Sequence, residues 1–238
     1  MKPIPPGHIS PWLATILRPI HRLLMRFYFR VEIKGRENLP DRVPMVLAPT
    51  HRSMWDSLIL THLTKRPVRY LASRNNFTGL QGWVMRRMGC IAINVERPSH
   101  HALRLCQTLI ESARPVVVFP EATIYYYPPH EVHTPLKHGV AWLALRSVRS
   151  AEGVAPVVVP IRLVYSDLRL RFRTRIEIIV GSPIDPRDYR DLSPRAARIA
   201  LPDDLCRRLG DMANDSIRER YPAVEFLAEC AARASEHP

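Results

Sequence analysis

Apolar positions near the start of the chain follow a helical beat. Between Trp12 and Tyr28 they fall at Leu13, Ile16, Leu17, Ile20, Leu23, Leu24 and Phe27, the i, i+3, i+4, i+7 spacing of an amphipathic helix. Ser10 followed by Pro11 supplies a start, with serine as N-cap and proline at the first helical position. Arg18, Arg22, Arg26 and Arg30 recur every four residues on another arc. Pro19 predicts a kink, up to a split into two helices. A basic amphipathic helix carrying Trp and Phe suits an anionic membrane surface. A helix packed on the domain with solvated arginines fits the same pattern equally well.

From Arg30 the beat changes. R-V-E-I-K alternates as a strand and stops at Gly35, and residues 43–48 form a second apolar strand. Further strands are predicted at 68–72, 89–95, 115–119, 155–165 and 170–180, the last two joined by a turn at Ser166 and Asp167. Helices are predicted at 57–64, 78–88, from a Ser99 cap to 112, and at 136–148. Residues 195–233 read as helical segments interrupted around Pro202 and Pro222. Strands alternating with helices predict an α/β fold. Its mostly parallel central sheet is flanked by helices, with a late antiparallel hairpin and an N-terminal amphipathic helical segment. The expected division is a membrane-associating segment at 1–30, an α/β domain at 31–193, and a helical extension at 194–238 packed on that domain.

Composition narrows the partner. Lys and Arg number 35 against 22 Asp and Glu, a net charge of +13, which favours an anionic surface. No zinc-finger or RNA-binding signature accompanies that charge, so nucleic acid is not expected. The cysteines, Cys90, Cys106, Cys206 and Cys230, show no C-x-x-C pairing and read as reduced thiols in a cytosolic setting. No apolar run approaches the roughly 18 residues that span a bilayer, and the Pro-rich start followed by arginines does not resemble a signal peptide. The expectation is a peripheral protein on the cytoplasmic face of a membrane.

Candidate chemistry gathers where strands end, which is where open α/β sheets bind ligands. His51 and Asp56 follow the strand at 43–48. On one helix, five residues turn the chain by about 500°, leaving the two roughly 140° apart. They meet only if His51 lies on the turn and Asp56 at the helix start. Asp56 then fixes the imidazole tautomer, and the other nitrogen is free to act as a base. An ordinary N-cap aspartate beside a loop histidine has the same spacing. Glu96 and Arg97 close the strand at 89–95, where an arginine can grip a phosphate or simply pair on the surface. F-P-E-A-T at 119–123 places Glu121, Ala122 and Thr123 after another strand, as an anion-holding turn or a solvated one. Arg169, Arg171, Arg173 and Arg175 alternate with other residues, which on a strand puts four cations on one face. His130, His133 and His138 lack cysteine or paired carboxylate partners at ligand spacing, so no metal site is expected.

Taken together, these blocks resemble the glycerolipid acyltransferases typified by 1-acylglycerol-3-phosphate O-acyltransferases. His51 and Asp56 match the H-x4-D block, with Thr50 where Asn is usual. Residues 89–97 match the block ending in arginine. F-P-E-A-T-I at 119–124 matches F-P-E-G-T-R in part, and V-V-V-P-I at 157–161 matches the apolar V-P block. The resemblance covers residues 31–183. It implies direct transfer of a fatty acyl group from acyl-CoA or acyl-carrier protein to the hydroxyl of a lyso-lipid, in phospholipid biosynthesis. His51 would be the base, Asp56 its support, and backbone donors near His51 the oxyanion site. Arg97, Glu121, Ala122 and Thr123 would form the acceptor site, with no cofactor and no metal. Ile124 stands where the family has a phosphate-binding arginine, which keeps a non-phosphate lyso-lipid or a glycolipid open as acceptor. A non-catalytic lipid-binding or nucleic-acid-binding protein is the alternative of another class.

Overall fold

The computed structural model describes residues 7–41, 43–64, 66–94, 99–124, 135–150, 155–167 and 169–212. Glu96, Arg97, the tyrosines at 125–127, His130, His133, Cys230 and the helical segments expected beyond 212 lie outside them.

Helix α1 (Pro11–Tyr28) leads into strand β1 (Arg30–Lys34). Then come β2 (Met45–Pro49), the short helix α2 (Asp56–Ile59) with a 3-10 turn at Leu60–His62, and β3 (Arg69–Ser73). Helix α3 (Gly79–Arg87), β4 (Ile91–Ile93), α4 (His100–Glu111) and β5 (Val116–Val117) follow. The described chain ends with α5 (Gly139–Ser150), β6 (Val157–Tyr165), β7 (Arg175–Val180) and α6 (Pro194–Asp211). The strands form one seven-stranded sheet in the order β1-β7-β6-β2-β5-β3-β4. Every pairing is parallel except β6 with β7, the expected late hairpin. Ser99 caps α4 as expected, accepting from Ala102 N.

Strand β2 is buried along its whole length because both faces of the sheet are covered. Val46 and Ala48 point to the side packed by α4, α5 and α6, where Cys106, Leu143 and Leu205 complete the core. Met45 and Leu47 point to the other side, toward Ile59, Leu60 and Leu63 and the end of α1 at Met25 and Phe29.

Three expectations need correction. Helix α6 runs unbroken through Pro202. A proline cannot donate to the carbonyl four residues back, and His138 takes that carbonyl instead, donating from Nδ1 to Arg198 O at 2.9 Å. Likewise α1 is one helix through Pro19, so the chain does not split into two helices there. The arginine ladder does not form. Strand β7 begins only at Arg175, and residues 169–174 make a turn with left-handed backbone at Leu170 (φ 55°) and Arg173 (φ 68°). Period two therefore does not apply to Arg169, Arg171 and Arg173, although all are exposed.

Helix α1 is also turned round relative to an ordinary packing helix. Its apolar arc of Trp12, Ile16, Ile20, Leu23, Leu24 and Phe27 is exposed. Its polar arc faces the protein. Arg22 donates to Thr61 O at 2.6 Å and to Thr64 O at 2.8 Å, Arg18 to Arg66 O at 3.4 Å, and His21 Nε2 to Leu58 O at 2.9 Å. Cations and imidazole thus bond carbonyls in the last turn of α2 and beyond it. Among the described residues no helix is long and apolar enough to cross a membrane.

Candidate active site

The site begins where β2 stops. Thr50 continues the ladder with β6: its N–H donates to Ile161 O, and its hydroxyl accepts from Leu163 N, both at 3.0 Å. A threonine hydroxyl here stands in for a carbonyl of the ladder and locks the chain as it leaves the sheet. The chain then turns sharply into α2. Trp55 occupies the N-cap position, with no side-chain cap bond, and Asp56 is the first helical residue.

Asp56 is therefore not a simple cap. Its side chain folds back over the turn and is 0 % exposed. Oδ2 accepts from Arg52 N at 2.7 Å, from Ser53 N at 3.0 Å and from His51 Nδ1 at 2.8 Å. Oδ1 accepts from the Tyr165 hydroxyl. A buried carboxylate is tolerable only when hydrogen-bonded, and this one has four donors. Since a carboxylate oxygen accepts, Nδ1 of His51 carries the proton and Nε2 holds the lone pair. Stacking against Phe119, with ring centroids 4.0 Å apart, fixes the imidazole plane. The His51 side chain keeps 18 % exposure, so a substrate can reach it.

Glu121 joins from the turn that follows β5. Its carboxylate is 1 % exposed and accepts the His51 backbone N–H at 2.7 Å. It thus ties the turn after β5 to the turn that carries His51. Ala122 adopts left-handed backbone, φ 64°, with its N–H on Phe119 O at 3.1 Å. Thr123 is exposed and Ile124 half-buried. The structure thus brings His51, Asp56 and Glu121 together, leaves Thr123 at the surface, and does not describe Arg97. Of the backbone donors near His51, those of Thr50, His51, Arg52, Ser53, Trp55 and Asp56 bond within the protein.

Tyr165 was not foreseen as a site residue, and Phe119 was read only as the first residue of the F-P-E-A-T block. Burial first, and then the Asp56 charge, push the Tyr165 phenol well above its ordinary range, so it stays protonated as a donor. Burial likewise raises the Cys90 and Cys106 thiols to about 12, so neither offers a thiolate near neutral pH. Among the described residues no group of three or more His, Cys, Asp or Glu could hold a metal ion.

Comparison with known proteins agrees with this geometry. The family described as Acyltransferase matches residues 30–164. A 1-acyl-sn-glycerol-3-phosphate acyltransferase of Chlamydomonas reinhardtii is 39 % identical over 101 residues, 40 % of this chain and 30 % of that protein. The chain thus spans less than a third of that relative. A 1-acyl-sn-glycerol-3-phosphate acyltransferase of Bacillus subtilis is 22 % identical over 187 residues, 77 % of this chain and 88 % of that one. The crystal structure of the 1-acyl-sn-glycerophosphate acyltransferase PlsC from Thermotoga maritima shares the fold, with a TM-score of 0.63 at 17 % identity over 84 % of this chain and 80 % of that one. With the family match covering more than half of its length, including His51, Asp56 and Glu121, the chain belongs to the acyltransferase family.

Proposed function

We propose that the protein is an O-acyltransferase. It moves a fatty acyl group from an acyl thioester, acyl-CoA or acyl-carrier protein, to the hydroxyl of a lyso-lipid, with 1-acylglycerol-3-phosphate as first acceptor. The observation that carries this reading is His51, held through Nδ1 by a buried Asp56 with Nε2 left as base. The names of the Chlamydomonas and Bacillus relatives support the acceptor.

In this mechanism Nε2 takes the proton of the acceptor hydroxyl as its oxygen attacks the thioester carbonyl. The tetrahedral adduct collapses by breaking the C–S bond, and the thiolate leaves with the proton carried by the imidazolium. Asp56 stabilises that imidazolium, and Glu121 holds the His51 backbone in place. No acyl-enzyme forms. Ile124 in place of a cation favours a second reading, in which the acceptor is a lyso-lipid or glycolipid without a phosphate head. The exposed arc of α1 supports work at an anionic membrane surface, peripherally and on the cytoplasmic side, where both thioester carriers reside.

The test offers labelled acyl-CoA and acyl-carrier protein to the purified full chain with a panel of lyso-lipids. His51→Ala is expected to cut transfer by about 10² or more, and Asp56→Asn to reduce it strongly, with binding to vesicles retained. A wild-type chain that acylates no acceptor, or a fully active His51→Ala, rules the reading out.

A further inference from the structure

Beyond the H-x4-D pair, β6 delivers one more side chain to the site. Pro49 of β2 pairs with Ile161 of β6. Residues two apart on a strand share a face, so Ile161, Leu163 and Tyr165 point to the side of the sheet that carries α2, and all three pack in the core there. Tyr165, the last residue of β6, reaches Asp56 by this alternation. Arg162, directly after Ile161, points the other way, to Leu209 O of α6.

The two oxygens of Asp56 are used unequally. Oδ2 carries the bonds from His51, Arg52 and Ser53. Oδ1 takes the Tyr165 hydroxyl. The charged and titratable groups around the pair are Arg52, which follows His51, Glu121 on the His51 backbone, and Tyr165 itself. Without the phenol, Oδ1 would lose a strong donor in a site with 0 % exposure, where water does not replace it. The carboxylate would become more basic, and the imidazolium beside it harder to deprotonate.

We propose that Tyr165 is a positioning residue for this pair. By holding Oδ1 it keeps Oδ2 on His51 and sets the basicity of the imidazole. This rests on the reading of His51 as the base.

Tyr165→Phe removes only the hydroxyl. The expected result is a fall in kcat of about tenfold, the effect of losing one hydrogen bond to a charged group. KM for both substrates stays unchanged. The acid limb of the kcat/KM profile moves to higher pH by about one unit. Incorporating 3-fluorotyrosine at 165, a stronger donor, moves that limb to lower pH. Titration of His51 by 15N NMR shows the same two shifts without turnover. A His51 titration and a pH profile that do not move in either variant overturn the proposal. So does a loss of kcat that tracks only a lower Tm. A wild-type chain that transfers nothing but whose His51 titration shifts in both variants sinks the transferase reading and leaves the role of Tyr165 standing.

Discussion

Ala122 occupies a backbone conformation with φ 64°, which costs a residue with a Cβ roughly 1 kcal/mol. Ala122→Gly relieves that strain and adds freedom to the unfolded chain, two effects of similar size and opposite sign. The expected change in unfolding free energy by urea titration is within about 1 kcal/mol of zero, with activity kept. A larger loss would mean that the Ala122 methyl makes a contact the turn depends on. At this scale, residues close in sequence were legible. His51 and Asp56 are five apart, and turn geometry alone showed that they can meet only across the start of α2. Tyr165 was not legible, because it lies 109 residues from Asp56 and only the β2–β6 register joins them. A Tyr closing a buried strand face was the available signal, since a buried phenol seeks a partner. The F-P-E-A-T block showed Glu121 only as a carboxylate after a strand, anion-holding or solvated, and not what it touches. Its partner, the His51 N–H, is a backbone group that no motif displays.

The Pro202 position shows the same limit for elements. Proline marks a break in the sequence, yet a side chain from the start of α5 supplies the missing partner and α6 continues. His138→Ala should cost about 0.5–1 kcal/mol of stability. In a Pro202→Ala background, where residue 202 regains its N–H, it should cost distinctly less. Equal costs in the two backgrounds, measured by thermal or urea unfolding, would mean that His138 acts elsewhere. The alternating arginines misled in the opposite sense. They carry a strand period, but Leu170 and Arg173 take left-handed backbone and Thr174 closes a turn onto Arg171 O through both its N–H, at 3.0 Å, and its hydroxyl, at 2.7 Å. The helical period of α1 was legible, whereas its orientation was not. Nothing in the pattern says that Arg18 and Arg22 would find carbonyls beyond α2 and so turn the apolar arc outward.

For the whole molecule, that outward arc sets how the chain meets its surroundings. Leu23 is 71 % exposed, and Met54, three residues past His51, is 76 % exposed. Phe29 and Trp55 connect the two regions, with ring centroids 6.5 Å apart. Ile20→Asp with Leu23→Asp leaves Arg18, His21 and Arg22 in place. The pair should weaken partitioning onto anionic vesicles by about tenfold or more in a sedimentation assay. Added salt should weaken wild-type binding as well, given a net charge of +13. Unaltered partitioning in the double variant would show that α1 does not meet lipid. The Asp56 cage has a further consequence for control. A carboxylate tied by four donors, from its own turn and from β6, has no second position to adopt. On the proposed reading of His51 as the base, that base is permanently armed, and regulation falls to delivery: which molecules are brought within reach of Nε2.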